Sequence, residues 1–479
     1  MLANTLDDQH TLSSAEALPV DDNLEKDSAT AEQAKLAFAF LWTFTFVGFG
    51  RPQDLLPALE ALHLTLASAT LGLVAYLGAL FMGRARLLWS TNLLLVLFLT
   101  AWFMVGIPFA YYRRGSFEAF TQSWLRTLVF FFLLTQTLTT ISRVKKILWA
   151  VLSSELIASL ASILLQGRAE LQEGDRLAGV NQGLLGLNYL GITFSVILPF
   201  WAALYLSRIS VPQRILLALA LCSTMWTVVL TASRGGFLGF LIAAALTWWF
   251  VLRGSRRGRA LAVLIPFGLI IVLVKAPDVF WSRLETIWTD SSATDVHSVW
   301  PQPGKNPTSK KLDAESAEDS TRGRELLLEN SLKYTAEFPV FGLGIGGFST
   351  YNGKLLHQAD AWHGTHNTFT QMSSEGGIPA LILFLWLLFT ILGQMKKLST
   401  QFAGDDNTME LRLIAAATLA STLIFAFQGF FAHIGYEYLL YYTAGIAAGV
   451  WTISRQNSHE EQGSNAYDEA IASSTLSEM

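Results

Sequence analysis

The chain has 479 residues, 52% of them hydrophobic and only 15% charged, against about 25% charged in an ordinary soluble domain. A formal net charge of −4 leaves no basic excess for nucleic acid. The single cysteine, Cys222, excludes an intramolecular disulfide and any metal centre built on several thiolates; within an apolar run, it reads as inert packing.

Residues 1–33 are polar and acidic (Asp7, Asp8, Asp21, Asp22, Glu25, Asp27). They lack the basic start and short apolar region of a signal peptide, and the expectation is a disordered cytoplasmic tail. Twelve apolar segments follow, each approaching the roughly 20 residues that a membrane crossing needs: 35–50, 62–82, 88–111, 125–141, 147–166, 184–206, 214–231, 236–252, 260–275, 377–393, 411–432 and 437–453. Their uninterrupted apolar character excludes the alternation of a barrel strand. Lipid leaves no backbone polar group unsatisfied, so the expected fold is an all-α polytopic membrane protein. The organisation read from the sequence is a membrane domain of about nine helices over 34–275, a large loop over 276–376, three further helices over 377–454 and a cytoplasmic tail over 455–479.

Lys and Arg set the orientation. With the N-terminus inside, the inner loops carry Arg84 and Arg86, Arg143, Lys145 and Lys146, Arg208 and Arg214, the cluster Arg253, Arg256, Arg257 and Arg259, and Lys396 and Lys397. Arg113 and Arg114 run against this trend. Both termini are then cytoplasmic, and the large loop faces outward. Within that loop, 290–320 is rich in Ser, Thr, Pro, Asp and Lys and reads as a mobile insert. Thr321–Tyr334 has helical spacing, with Leu326, Leu327 and Leu332 set among Glu325, Glu329 and Lys333.

Four outward-facing polar groups exceed what a scaffold needs. They are Asp175 to Val180 with Asn188 and Tyr189; Thr231 to Gly236, around Arg234; Thr321 to Arg324; and Thr365 to Phe369, leading through Glu375 and Gly376 into the next span. A guanidinium between apolar spans is costly unless it is paired or lines a wet cavity. A snorkelling side chain would also account for Arg234. Its neighbours Gly235 and Gly236, however, leave backbone room beside a planar fork suited to phosphate oxygens. Arg324 and Arg176 read equally as solvated cations or as anion ligands. His366 is a loop histidine at a membrane rim, able to act as acid or base near neutrality. Glu155, in the fifth span, is an intramembrane carboxylate, protonated or turned to the bundle interior.

Two motif readings are weaker. His357, Asp360, His363 and His366 are spaced by threes, which would suit a metal on a helix face, but Gly364 and Trp362 make this stretch a loop. Gly342, Gly344 and Gly347 fit G-x-G-x-x-G without the βαβ unit of a dinucleotide site. They read instead as glycines that let the backbone turn tightly after Pro339 and approach a neighbour.

The order Arg-x-x-Gly with a following Asn, Ser233-Arg234-Gly235 between spans, an arginine-led helix ending in Pro339 to Gly346, then His366-Asn367 with Glu375 and Gly377 resembles the O-antigen ligase and O-antigen polymerase family. The resemblance covers roughly residues 170–395; Arg51-Pro52-Gln53 adds a softer likeness. It implies a GT-C-like fold of about 12 transmembrane helices in the bacterial inner membrane, with the large loop periplasmic. It implies an inverting, metal-independent and cofactor-free transfer of a glycan from undecaprenyl diphosphate to an acceptor hydroxyl on lipid A-core, another glycan or a protein. The resemblance puts the catalytic roles on His366, Arg234 and Arg324; Arg176, Asn188, Arg322, Asn367 and Glu375 are the expected substrate-binding residues. Thr370 departs from the leucine usual four residues after the histidine in ligases, which blurs the choice among ligase, polymerase and protein O-oligosaccharyltransferase. A transporter or flippase of such glycans is the alternative of another class, but no repeat relates the halves and the polar groups lie on one side rather than at mid-membrane. A structural partner that docks another envelope protein would tolerate loss of Arg234 and His366.

Overall fold

The computed structural model describes residues 34–50, 52, 57–165, 187–231, 233–276, 278–285, 309–356, 363–401 and 406–477. Among them there are helices and no strands. The long helices are α1 (Lys35–Gly50), α2 (Leu64–Phe81), α3 (Thr91–Gly106), α4 (Leu125–Thr137), α5 (Ile141–Leu165), α6 (Leu187–Leu206), α7 (Val211–Leu230), α8 (Arg234–Thr247) and α9 (Arg256–Val274). Then come α10 (Ser309–Glu337), α11 (Gly347–Leu356), α12 (Thr368–Gln401), α13 (Asp406–Gln428) and α14 (Tyr438–Ser477). Serines start several of them: the hydroxyls of Ser90, Ser233 and Ser255 accept from the backbone N–H of Leu93, Gly236 and Gly258, at 3.1, 3.2 and 3.4 Å, which satisfies donors that a helix start leaves open.

Among the described residues, a helix covers most of each of the twelve expected segments. Seven described helices are long and apolar enough to cross a membrane. The helices over the other five segments (α1, α4, α5, α9 and α14) are not among those seven. The core lies around α6 and α13, whose apolar windows are 78% and 72% buried, whereas α2 is 22% buried and turns most of its apolar surface outward. Small residues set the closest approach: a side chain on Gly191 of α6 would meet the Gly236 backbone of α8 at 3.0 Å.

The helix expected over Thr321–Tyr334 is present within the longer α10, which already begins at Ser309, inside the stretch read as an insert. The rest of that insert, most of the region around Arg176, and the N-terminal tail lie outside the described residues.

α12 starts at Thr368 and is broken inside by Gly377 (φ 75°, ψ 176°), with Pro379 just beyond. A break frees backbone groups that an apolar environment cannot satisfy. Here the neighbouring loop satisfies them. Leu343 N–H donates to Ser374 O and Ile378 N–H to Pro339 O, both at 2.8 Å. The Trp102 indole donates to Gly376 O at 2.8 Å. The glycines after Pro339 make this fit possible: Gly342, Gly344 and Gly346 all have positive φ, and a Cβ on Gly342 would stand 2.5 Å from the Glu375 carbonyl carbon. The sequence reading of Gly342 and Gly344 as a tight turn against a neighbour is what the structure contains, whereas Gly347, read the same way, starts α11 and Gly346 takes the third positive φ.

Gly377→Ala should therefore lower the apparent Tm of the detergent-solubilised protein strongly. It forces an L side chain into a positive-φ, extended-ψ conformation that is essentially reserved for glycine, at about 1–3 kcal/mol, and drives a Cβ into the Val340 carbonyl. Gly393→Ala in the same helix, where nothing lies within 4 Å, should hold or raise Tm. Equal Tm values for the two variants would refute this account of the break.

Candidate functional site

Of the polar residues singled out in the sequence, those described lie where α6, α8 and α12 begin and on α10. His366 sits one residue before the cap of α12. The Asn367 carboxamide oxygen accepts from Phe369 N–H at 2.9 Å and Thr370 N–H at 3.1 Å, so Asn367 is the N-cap. Thr365 Oγ1 donates to Asn367 O at 2.8 Å and closes the turn. His366 itself has φ 49°, a strained conformation for a residue with a side chain and one that concentrates at functional sites.

The loop between α13 and α14 folds back onto this helix start. Thr368 N–H donates to Gly429 O at 2.7 Å, and its hydroxyl donates to Ala432 O at 2.7 Å while accepting from Ile434 N–H at 3.1 Å. Gln371 Oε1 accepts from Gly435 N–H at 3.0 Å. These bonds place the His433 ring edge-on to His366, 5.1 Å between centroids, with His363 at 6.3 Å from His366. His433 Nε2 lies 3.4 Å from the Tyr189 hydroxyl at the start of α6; its Nδ1 is buried without a partner. The sequence reading missed His433. A signal existed: the loop between the eleventh and twelfth expected spans falls on the same side as His366 by parity.

Electrostatics join Arg324 to this group. Burial, then the charges of His433, Arg324 and His363, hold the His366 pKa down at about 3. Burial and His363 lower that of His433 to about 4. Both imidazoles are neutral at pH 7. Burial also lowers the Arg324 pKa, yet a guanidinium stays charged. α10 carries Arg324 to this place because Thr335 and Ser373 share a hydrogen bond of 2.8 Å between α10 and α12. A small core of Leu327, Tyr334, Leu343 and Phe348 binds α10 to the glycine turn. Arg234 opens α8, half buried, where Gly236 packs on Gly191, two residues from Tyr189.

Of the expected site residues, the structure thus brings Arg324 and His366 together and sets Arg234 one helix start away. Glu375 is buried, and its oxygens accept from Gly346 N–H and Phe348 N–H, each at 3.1 Å. It holds the glycine turn, as Asn367 holds the helix cap. Asn188 and Arg322 fall in α6 and α10, with side chains outside the described residues, as are Arg176, His357 and Asp360. Among the described residues no group of three or more His, Cys, Asp or Glu is arranged to hold a metal ion.

Residues 215–385 match the family model described as O-antigen ligase. The matched segment contains Arg234, Arg324, His366, Asn367 and Glu375 and ends before His433. No curated protein matches the chain.

Glu375→Gln tests the anchoring geometry. An amide offers one acceptor where two backbone donors now point, and a hydrogen bond to a charged acceptor contributes about 1.5–3 kcal/mol. Hydrogen exchange should accelerate at the Gly346 and Phe348 amides by about tenfold or more, with a lower Tm; unchanged protection there would refute the anchor.

Proposed function

From the match of residues 215–385 to the O-antigen ligase family model we propose that the chain transfers a glycan from undecaprenyl diphosphate to an acceptor hydroxyl at the outer face of the bacterial inner membrane. One observation carries the reading: a half-buried cation, Arg324, lies within electrostatic reach of a half-buried, neutral imidazole, His366. Transfer from a lipid diphosphate requires that pair of properties. The acceptor oxygen attacks the anomeric carbon, and its proton passes to neutral His366. The sugar–phosphate bond breaks, and its electron pair leaves with the diphosphate. The negative charge that grows there is met by Arg324 and Arg234 in a partly dry site, where such interactions are stronger than in water. Direct displacement inverts the anomeric centre. No divalent ion is needed where two guanidiniums occupy the leaving-group side.

Glu375 and Asn367 act in this reading as positioning residues. Glu375 fixes the turn that ends α10, and Asn367 fixes the start of α12, so the two ends of the large loop present Arg324 and His366 to each other. Arg176, Asn188 and Arg322 remain the proposed ligands of the diphosphate or first sugar. A flippase would place its polar groups near mid-membrane; here they cluster where helices begin.

Purified protein, labelled undecaprenyl-diphosphate glycan and candidate acceptors, assayed with and without EDTA, test the proposal. Transfer should survive EDTA. It should fall about 10²–10⁴-fold in His366→Ala, the range for loss of a general base, and collapse in Arg234→Ala and Arg324→Ala. Full activity in all three variants would sink the mechanism.

The pH profile gives a separate check. A base works when unprotonated, and His366 has a pKa depressed to about 3 in the free protein, so kcat/KM should hold as pH falls through 6.5 and decline only well below it. Arg324→Gln removes a charge that lowers this pKa, so the residual activity should show its acid limb at higher pH; a shift to lower pH would contradict the arrangement.

A further inference from the structure

A second polar site lies behind the loop that carries His433. A cavity of about 240 Å³ opens between α1, the start of α2, the start of α4 and residues 436–438. One wall is aromatic, made by Phe44, Phe49 and Phe130; Phe44 and Phe130 meet edge to face at 5.1 Å. The opposite wall is unusual backbone. Phe120–Trp124 forms a π-helical turn that runs into α4, and such turns are rare and concentrate at functional sites. It sets Gln122 and Ser123 on the cavity, with Arg126 just after them.

The polar capacity of the cavity is unevenly spent. The Thr45 and Thr127 hydroxyls are already used on backbone, donating to Leu41 O at 2.8 Å and Tyr436 O at 2.9 Å. Arg126 is exposed and has no ion pair among the described residues. Glu437 lines the same cavity, and its charge also acts on Tyr189, the partner of His433. The cavity therefore offers a cation with neighbouring amide and hydroxyl groups, a carboxylate and aromatic rings.

We propose that this cavity seats the acceptor, an amphiphile bearing an anionic group and hydroxyls. Its anion, a phosphate, binds Arg126 with Gln122 and Ser123. A hydroxyl donates to Glu437, and the apolar stem lies on Phe44, Phe49 and Phe130. The assignment rests on the transfer reading above for the word acceptor, but not for the binding itself. The donor diphosphate is the less suitable occupant, because its two charges find one guanidinium here.

Native mass spectrometry of the full-length protein in detergent reads binding without donor or turnover, with dioleoyl phosphatidic acid as a phosphomonoester amphiphile and dioleoylglycerol as its neutral counterpart. Wild type should retain phosphatidic acid over dioleoylglycerol. Arg126→Gln should weaken that retention about tenfold, the loss expected for one charge-assisted contact, at unchanged Tm. Arg253→Gln, whose guanidinium stacks on Trp249 far along the chain, should behave as wild type. Equal retention by wild type and Arg126→Gln would overturn the site, and full displacement by millimolar inorganic phosphate would overturn its amphiphile character. In transfer assays with a phosphorylated lipid acceptor, Arg126→Gln should raise acceptor KM about tenfold at constant donor KM; a raised donor KM instead would overturn the acceptor assignment. Selective lipid retention in a wild-type protein that transfers nothing would support the site while removing the ligase reading, so the two failures are distinguishable.

Discussion

The break in α12 at Gly377 is the constraint on which the site depends. A helix interrupted beside the membrane exposes backbone groups that need partners, and here those partners come from one segment, Pro339 to Phe348. Ser374 O and Ile378 N–H are taken by Leu343 and Pro339, while Glu375 accepts from Gly346 and Phe348. The exchange locks two distant pieces of chain into one register. α10 ends at this turn and α12 begins just before the break, so Arg324 and His366 are held through the same joint. Phe341 closes it, stacked on Phe109 at 4.4 Å and near-parallel to Trp102 at 5.1 Å. A rigid joint of this kind suits a reaction in which the cation must meet charge developing on the leaving group without rearranging.

Much of this was legible in the sequence, for identifiable reasons. Apolar run length marked the helices, because lipid imposes it directly. The glycine turn was legible because few other roles explain three glycines after a proline in an apolar protein. Glu375 and Asn367 were found as residues of interest but assigned to substrate. Their side chains also bond backbone N–H groups, and a carboxylate that anchors a turn looks the same in sequence as one that binds a sugar. His433 was missed for a different reason, since parity gave its side of the membrane but not its neighbours. It lies 67 positions beyond His366, and only the folding of the last loop onto Thr368 and Gln371 brings the rings together.

Burial of both histidines has a chemical consequence. An imidazole exposed to water would be partly protonated near its ordinary pKa, and a neighbouring imidazolium would compete with the arginines for the diphosphate. Desolvation, reinforced by the Arg324 charge, keeps His366 neutral. In the proposed mechanism the same partial desolvation that strengthens the cation also keeps the base in its working form. In the proposed transfer, a diphosphate that enters would offset the charge of Arg324, and the basicity of His366 would rise as the acceptor is about to give up its proton. Donor binding would thereby prepare the base, which couples the two substrates through charge alone, with no moving part required.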